Sequence, residues 1–95
     1  MARIRRLVLD TLKPYEPSII EMAASLSELD GVNAVNISIY EIDRKVENAK
    51  ITIEGDNISP AGVLAIIQEL GGAVHSVDEV VAGKMIIDDA ATLQD

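Results

Sequence analysis

A chain of 95 residues with a net charge of -8 is long enough for one domain and too short for two independent cores. Hydrophobic residues make up 48% of it and charged residues 25%, which is typical of a packed globular domain. The absence of Cys excludes disulfides, thiolate metal sites and cysteine nucleophiles. The negative charge and the two Tyr as sole aromatic residues argue against nucleic acid and membrane surfaces as partners. No secretory or membrane-spanning stretch is present, so we expect a cytoplasmic protein.

The first predicted elements are a strand and a helix. Residues 3–12 contain the apolar run Leu7-Val8-Leu9 and are followed by Lys13-Pro14, as expected of a strand closed by proline. After Pro17, apolar residues recur at helical spacing up to Leu29, and Ser18 with Glu21 has the form of a capping box. Gly31 then predicts the end of the helix.

A hairpin and a second helix follow. Residues 32–42 and 49–54 alternate between apolar and polar side chains, which predicts two half-buried strands joined by a loop at 43–45. Ser59-Pro60 predicts the start of helix two, and Gly71-Gly72 its end. Residues 73–81 form a fourth predicted strand, in which Val77 and Val81 favour one face as buried whereas Val74 and Val80 favour the other. Residues 83–87 are a possible short edge extension.

The order strand, helix, strand, strand, helix, strand is the split βαβ pattern. It predicts an α+β, ferredoxin-like βαββαβ sandwich, in which right-handed crossovers place two helices on one face of a four-stranded antiparallel sheet. Residues 1–95 form one domain in this interpretation, with a core at 1–85 and an acidic C-terminal tail at 86–95.

Three stretches of the chain are distinctive: LDTLKP at 9–14, the hairpin from NIS through EID to KITIEG between 36 and 55, and GG followed by HSVDEVVAG between 71 and 83. In these stretches the chain resembles an archaeal family of short proteins classed as a domain of unknown function. The resemblance covers nearly the whole chain. It implies a ferredoxin-like fold and a tendency to form ring-like homo-oligomers, and it carries over no activity and no site residues.

One sheet face should remain free of helices. We expect it to carry alternate residues of the first three strands: Arg6, Val8, Asp10, Asn36, Ser38, Tyr40, Lys50, Thr52 and Glu54. Such a mixed face is either solvated surface or a subunit interface. In the second interpretation the apolar and aromatic anchors are Val8, Leu12, Tyr40 and Ile42.

Carboxylates are the candidate metal ligands. Glu41, Asp43 and Glu47 cluster in the hairpin, while Asp10 and Asp78 lie on strands that this fold makes neighbours. Oxygen ligands without Cys or a second His suit a divalent cation such as calcium or magnesium. No EF-hand spacing is present, so the alternative is a solvated acidic surface, although a ring of subunits would concentrate carboxylates around its axis.

The single histidine, His75, is the remaining candidate. Because consecutive strand residues point to opposite faces, His75 and Ser76 cannot form a nucleophile and base pair with each other. His75 is either a structural residue or a pH-sensitive contact in an interface. The chain also has no phosphate-binding loop, nucleophile elbow or dinucleotide fingerprint, so enzyme status lacks positive support.

These observations favour a non-enzymatic homo-oligomer that binds a small ligand or metal at subunit junctions, with a possible regulatory role. Two alternatives stay open. One is a small enzyme whose active site is assembled between subunits, with His75 and a carboxylate as acid and base. The other is a structural adaptor for another protein.

Overall fold

The computed structural model describes residues 3–88, which form one antiparallel sheet and two helices. The order of elements is the predicted one. Their bounds are β1 (Ile4–Pro14), α1 (Ile19–Ser27), β2 (Val32–Ile42), β3 (Val46–Gly55), α2 (Pro60–Glu69) and β4 (Ala73–Ala82). No helix among residues 3–88 is long and apolar enough to cross a membrane.

The strands lie in the order β2-β3-β1-β4, and every neighbouring pair is antiparallel. Both helices pack on the same side of the sheet, because side chains of α1 and α2 belong to one core cluster with those of β1 and β3. The prediction of a ferredoxin-like α+β fold is therefore confirmed. The molecule is flat, with extents of 39 × 36 × 18 Å, and the second sheet face carries no helix.

The core lies between the sheet and the helices and consists of aliphatic side chains. Alternate residues of the two central strands supply one half of it, since the register aligns Leu7 with Ile53 and Leu9 with Ile51. Met22 and Leu26 of α1, with Val63 and Ile67 of α2, supply the other half. Full burial of such side chains contributes roughly 1.5–3 kcal/mol each, which compensates for the absence of large aromatic rings.

The helix starts follow the predicted capping residues. The Ser18 hydroxyl accepts a hydrogen bond from the backbone N–H of Glu21 at 3.2 Å, and the Ser59 hydroxyl accepts one from Gly62 at 3.1 Å. Pro60 occupies the first turn of α2, where the missing N–H has no intrahelical partner to lose.

Two bulges in β4 explain the ambiguous phase of its valines. The β1–β4 register skips His75 and Asp78, so Val74, Val77 and Val80 pair with Thr11, Leu9 and Leu7 on the helix side. Val81, by contrast, pairs with Arg6 and is 6% exposed. Val77 and Val80 are nevertheless more than half exposed, so β4 buries Val81 and, in part, Val74. The apolar residues of this strand follow no single period of two, because each bulge shifts the alternation by one residue.

The loops before β2 and after β3 cross in close contact at two glycines. The Gly31 carbonyl accepts a hydrogen bond from the backbone N–H of Asp56 at 2.9 Å, and Gly31 has a φ of 86°. A Cβ on Gly55 would overlap the Gly31 carbonyl oxygen and lie 2.9 Å from its carbon. Glycine is therefore required at both positions: at Gly31 by conformation and by space, since a Cβ there would lie 2.9 Å from the Asn57 carbonyl carbon, and at Gly55 by space alone.

The suggested edge extension at residues 83–87 is wrong, because residues 83–88 form no strand. Gly83, with a φ of 133°, turns the chain away from β4 after its N–H has bonded to the Arg3 carbonyl at 2.8 Å. The segment then returns to the sheet face opposite the helices, where Asp88 contacts Arg6 at 2.9 Å. Of the predicted tail 86–95, residues 89–95 lie outside the described part of the chain.

Candidate functional site

The sheet face without helices, here called the open face, carries polar and charged side chains in matched rows. The register places Lys50 between Asp10 on β1 and Ser38 on β2, and it places Thr52 between Val8 and Asn36. Adjacent residues of neighbouring strands lie close enough for their side chains to interact. The open face therefore brings together side chains that are distant in the sequence.

A bulge in β2 aims Tyr40 across the sheet. The β2–β3 register skips Tyr40, so this ring and the next residue, Glu41, both lie on the open face. The Tyr40 hydroxyl reaches over β3 and donates a hydrogen bond to the Asp10 carboxylate on β1. Bulges are frequent beside functional sites because they redirect a side chain in this way.

The bulge at Asp78 on β4 directs a second side chain to the same region. Asp78 accepts a hydrogen bond from the Ser76 hydroxyl at 2.7 Å, and Ser76 lies directly opposite Asp10 in the register. All four strands therefore contribute to one depression of about 300 Å³. Its lining residues are Asp10, Ser38, Tyr40, Lys50 and Asp78.

A larger depression of about 490 Å³ adjoins the first and shares Ser38 and Lys50 with it. Its other polar lining residues are Asn36, Thr52 and Glu54. Together the two depressions form a groove across the open face, with Ser38 and Lys50 lining both of its parts. We call this the open-face groove.

One end of the open-face groove is bordered by an ion-pair network around Arg6. Its guanidinium donates to Glu54 at 2.8 Å, to Glu79 at 3.1 Å and to Asp88 at 2.9 Å. The hydrogen bonds to Asp88, Glu54 and Glu79, in that order of effect, raise the pKa of Arg6 above its usual value. The Glu54 carboxylate is thereby paired with Arg6, although it also lines the groove.

Comparison with known proteins assigns the chain to a family. A model of the DUF211 family, described as uncharacterized ArCR, matches residues 5–95. The chain belongs to the DUF211 family. It is also 54% identical over 95 residues to the uncharacterized protein MJ0319 of Methanocaldococcus jannaschii, covering 100% of this chain and 98% of that relative. The resemblance to an archaeal family classed as a domain of unknown function is thus confirmed.

The predicted metal ligands of this DUF211 protein are only partly brought together. Asp10 and Asp78 border the same depression, whereas Glu41 bonds to the Asn48 amide at 3.2 Å and Asp43 to the Arg44 backbone N–H at 2.7 Å. Glu47 lies on the helix side and pairs with Lys13 at 2.6 Å. Within residues 3–88, no group of three or more His, Asp and Glu side chains is placed to hold a metal ion.

The predicted interface residues have different environments. Leu12 and Tyr40 are exposed on the open face, at 37% and 59%, but Val8 is 8% exposed and already packed within the chain. Ile42 pairs with Glu47 and lies on the helix side, because the bulge at Tyr40 shifts the alternation. The expectation that it shares the open face is therefore wrong. His75 is exposed at the other bulge of β4, which precedes the one at Asp78.

Because Tyr40 donates a hydrogen bond to Asp10, the pKa of Tyr40 tests whether this part of the open-face groove forms in solution. That bond, together with burial and the nearby charges of Asp10, Glu41 and Asp78, raises the pKa of Tyr40 from 10.0 to about 12. Because the pKa of Tyr40 is higher in the folded chain than in the unfolded chain, protonated Tyr40 contributes to the free energy of unfolding. This contribution is fully present below pH 10 and is lost as the pH rises through 12.

We therefore expect tyrosinate absorbance from Tyr40 to appear only near pH 12. Asp10→Asn should lower this pKa because the charged acceptor is removed, and Tyr40→Phe assigns the signal in the spectrophotometric titration. A titration of Tyr40 that Asp10→Asn leaves unchanged would show that the hydrogen bond does not form in solution.

Proposed function

We propose that this DUF211 protein is a non-enzymatic cytoplasmic homo-oligomer that binds a small ligand or a divalent cation at its subunit junctions, with a regulatory role. The observation that carries the proposal is the open-face groove. Tyr40 and Asp78 are directed onto it by bulges in both edge strands.

The shape of the groove supports a site that a second subunit completes. Small-molecule sites bury most of the ligand surface, usually in cavities of about 300–1,000 Å³. The two depressions have suitable volumes, but they lie on a sheet face that nothing in residues 3–88 encloses. A second copy of the chain, packed on exposed apolar side chains such as Leu12, would supply the missing wall.

The side chains favour an organic ligand over a metal ion within one subunit. Calcium takes six to eight oxygen ligands, whereas Asp10 and Asp78 are the two carboxylates beside the smaller depression. A calcium or magnesium site would need carboxylates from more than one subunit, as a symmetric assembly provides.

Native mass spectrometry of the untagged protein, before and after dialysis against a divalent-metal chelator, tests the proposal directly. We expect an oligomer with additional mass. Loss of that mass on chelation would assign the site to a divalent cation, and its retention would assign it to an organic ligand. A bare monomer in both states would contradict the proposal.

Matched variants test whether the open face is the subunit interface. Leu12→Asp places a charge on the open face, so we expect it to reduce the subunit number. Ile20→Asp makes the same change on α1, where Ile20 is 78% exposed, and should leave the assembly intact. The reverse pattern would place the interface on the helix side and contradict the proposed junction.

A further inference from the structure

The charges of the open-face groove are distributed in a way that selects a class of ligand. Beside the smaller depression there are two carboxylates, Asp10 and Asp78, and one ammonium group, Lys50. A ligand without charge would leave all three desolvated and uncompensated once a second subunit covers them, which is costly. A ligand with groups of both signs would neutralise them.

Lys50 is the available cation of the groove. Although Lys50 lies directly opposite Asp10, the two side chains form no ion pair, and Asp10 instead accepts its hydrogen bond from Tyr40. Of the other carboxylates that line the groove, Glu54 is held by Arg6 at 2.8 Å and Asp78 accepts a hydrogen bond from Ser76 at 2.7 Å. Within residues 3–88, no carboxylate lies within ion-pair distance of the Lys50 ammonium group.

The surroundings of Lys50 suit a ligand carboxylate. Asn36 and Thr52 line the larger depression beside Lys50, and the Asn36 amide and the Thr52 hydroxyl are neutral hydrogen-bond donors, whereas the Ser38 hydroxyl already donates to the Asn36 Oδ1 at 3.3 Å. A carboxylate placed there would gain a charge-assisted hydrogen bond from Lys50 and further bonds from these donors.

The surroundings of Asp10 and Asp78 suit a ligand ammonium group. Each carboxylate accepts one hydrogen bond from a neutral hydroxyl, Tyr40 for Asp10 and Ser76 for Asp78. Neither forms an ion pair within residues 3–88, so both lack a counterion there and have further acceptor positions. The Tyr40 ring adjoins this position and offers an aromatic wall to a cation.

We infer that the open-face groove binds a small amino acid, with its ammonium group between Asp10 and Asp78 and its carboxylate on Lys50. The inference rests on the proposed function and gives the chemical class of its ligand. Strand neighbours lie about 4.8 Å apart, so the two charged groups of one compact molecule can reach side chains of adjacent strands.

Nuclear magnetic resonance of the ¹⁵N-labelled full chain, in its native assembly, tests the inference. The probes are the twenty standard L-amino acids, added singly. We expect at least one to shift the amide signals of the residues that line the groove. For that amino acid, the analogue without the amino group and the analogue without the carboxyl group should each bind about tenfold more weakly or worse.

Charge-removing variants assign the two ends of the ligand. Lys50→Gln should lower the affinity for the amino acid and leave the affinity for the decarboxylated analogue unchanged. Asp78→Asn should lower the affinity for the amino acid and leave the affinity for the deaminated analogue unchanged. Lys45→Gln in the hairpin loop and Asp30→Asn before β2 make the same changes outside the groove and should affect none of these affinities.

Two results would overturn the inference. One is the absence of any shift in the groove with all twenty amino acids, and the other is binding that the Lys50 and Asp78 variants do not alter. Either result leaves the proposed function testable on its own, because native mass spectrometry would still detect an oligomer carrying another ligand. A monomer that binds an amino acid would contradict the proposed homo-oligomer and support the inferred class of ligand.

Discussion

Replacement of Gly55 by Ala is expected to lower the free energy of unfolding by about 3 kcal/mol or more. The added Cβ would overlap the Gly31 carbonyl oxygen and lie 3.0 Å from the Val32 Cα, and both are backbone atoms. Neither can move independently, because the Gly31 carbonyl is bonded to Asp56 at 2.9 Å. Relief of the overlap therefore requires separation of the loops that lead into β2 and out of β3.

Urea unfolding followed by circular dichroism measures this effect. Gly62→Ala is the matched control, since a Cβ there meets its nearest atom, the Ser59 Oγ, at an ordinary 3.4 Å and lies in α2. It should stabilise the protein by about 0.5 kcal/mol or more, because alanine loses less entropy in a helix. Equal stability of Gly55→Ala and the wild type would show that the two loops separate easily.

The second large effect is expected at Lys13, a lysine with no exposed surface. Its ammonium group donates to Glu47 at 2.6 Å and to the Pro14 carbonyl at 2.7 Å, on the helix side of the sheet. Glu47→Leu removes the only carboxylate partner found for it in residues 3–88, leaving a buried charge without compensation. We expect a loss of about 3 kcal/mol in the free energy of unfolding.

A double-mutant cycle separates the net contribution of the Lys13–Glu47 ion pair to the free energy of unfolding from the cost of leaving one of its charges unpaired. Lys13→Met combined with Glu47→Leu should restore stability to within about 1 kcal/mol of the wild type, because no buried charge remains. Asp56→Asn, which breaks the more exposed pair with Arg5, should cost less than about 1 kcal/mol. If the double variant is as unstable as Glu47→Leu alone, the loss comes from packing and not from charge.

The fold follows from local signals in the sequence. The alternation in residues 32–42, the capping residues Ser18 and Ser59, and the glycines that end the helices each specify an element without reference to the rest of the chain. The connection order then leaves few topologies, since crossovers are right-handed. For this reason the predicted order of elements and the predicted location of the open face agree with the structure.

The site was less predictable, because it depends on bulges. Strict alternation puts Ile42 on the open face, and it cannot reconcile Val74 and Val80 with Val77. Neither residue at the relevant bulges, Tyr40 or Asp78, is a glycine or proline that would mark an irregularity. Lys50 was placed on the open face but not among the ligands, although its position opposite Asp10 was the signal that could have identified it.

The Lys13–Glu47 pair also escaped prediction. A lysine beside a proline at the end of a strand has the sequence appearance of an exposed residue, and its burial depends on the tertiary packing around the ends of β1 and β3. Glu47 was consequently assigned to the acidic hairpin. In the structure its partly buried carboxylate pairs with the fully buried ammonium group of Lys13.

The bulges at Tyr40 and Asp78 also bear on how such a site can arise and disappear during evolution. Each is a single unpaired residue, so deletion of its codon would leave Ile39 and Glu41, or Val77 and Glu79, opposite consecutive residues of the neighbouring strand. The ladder and the core would persist in regular register. The groove would lose the side chains that distinguish it, so this fold can gain or lose such a groove by one-residue steps while the sheet and its core remain folded.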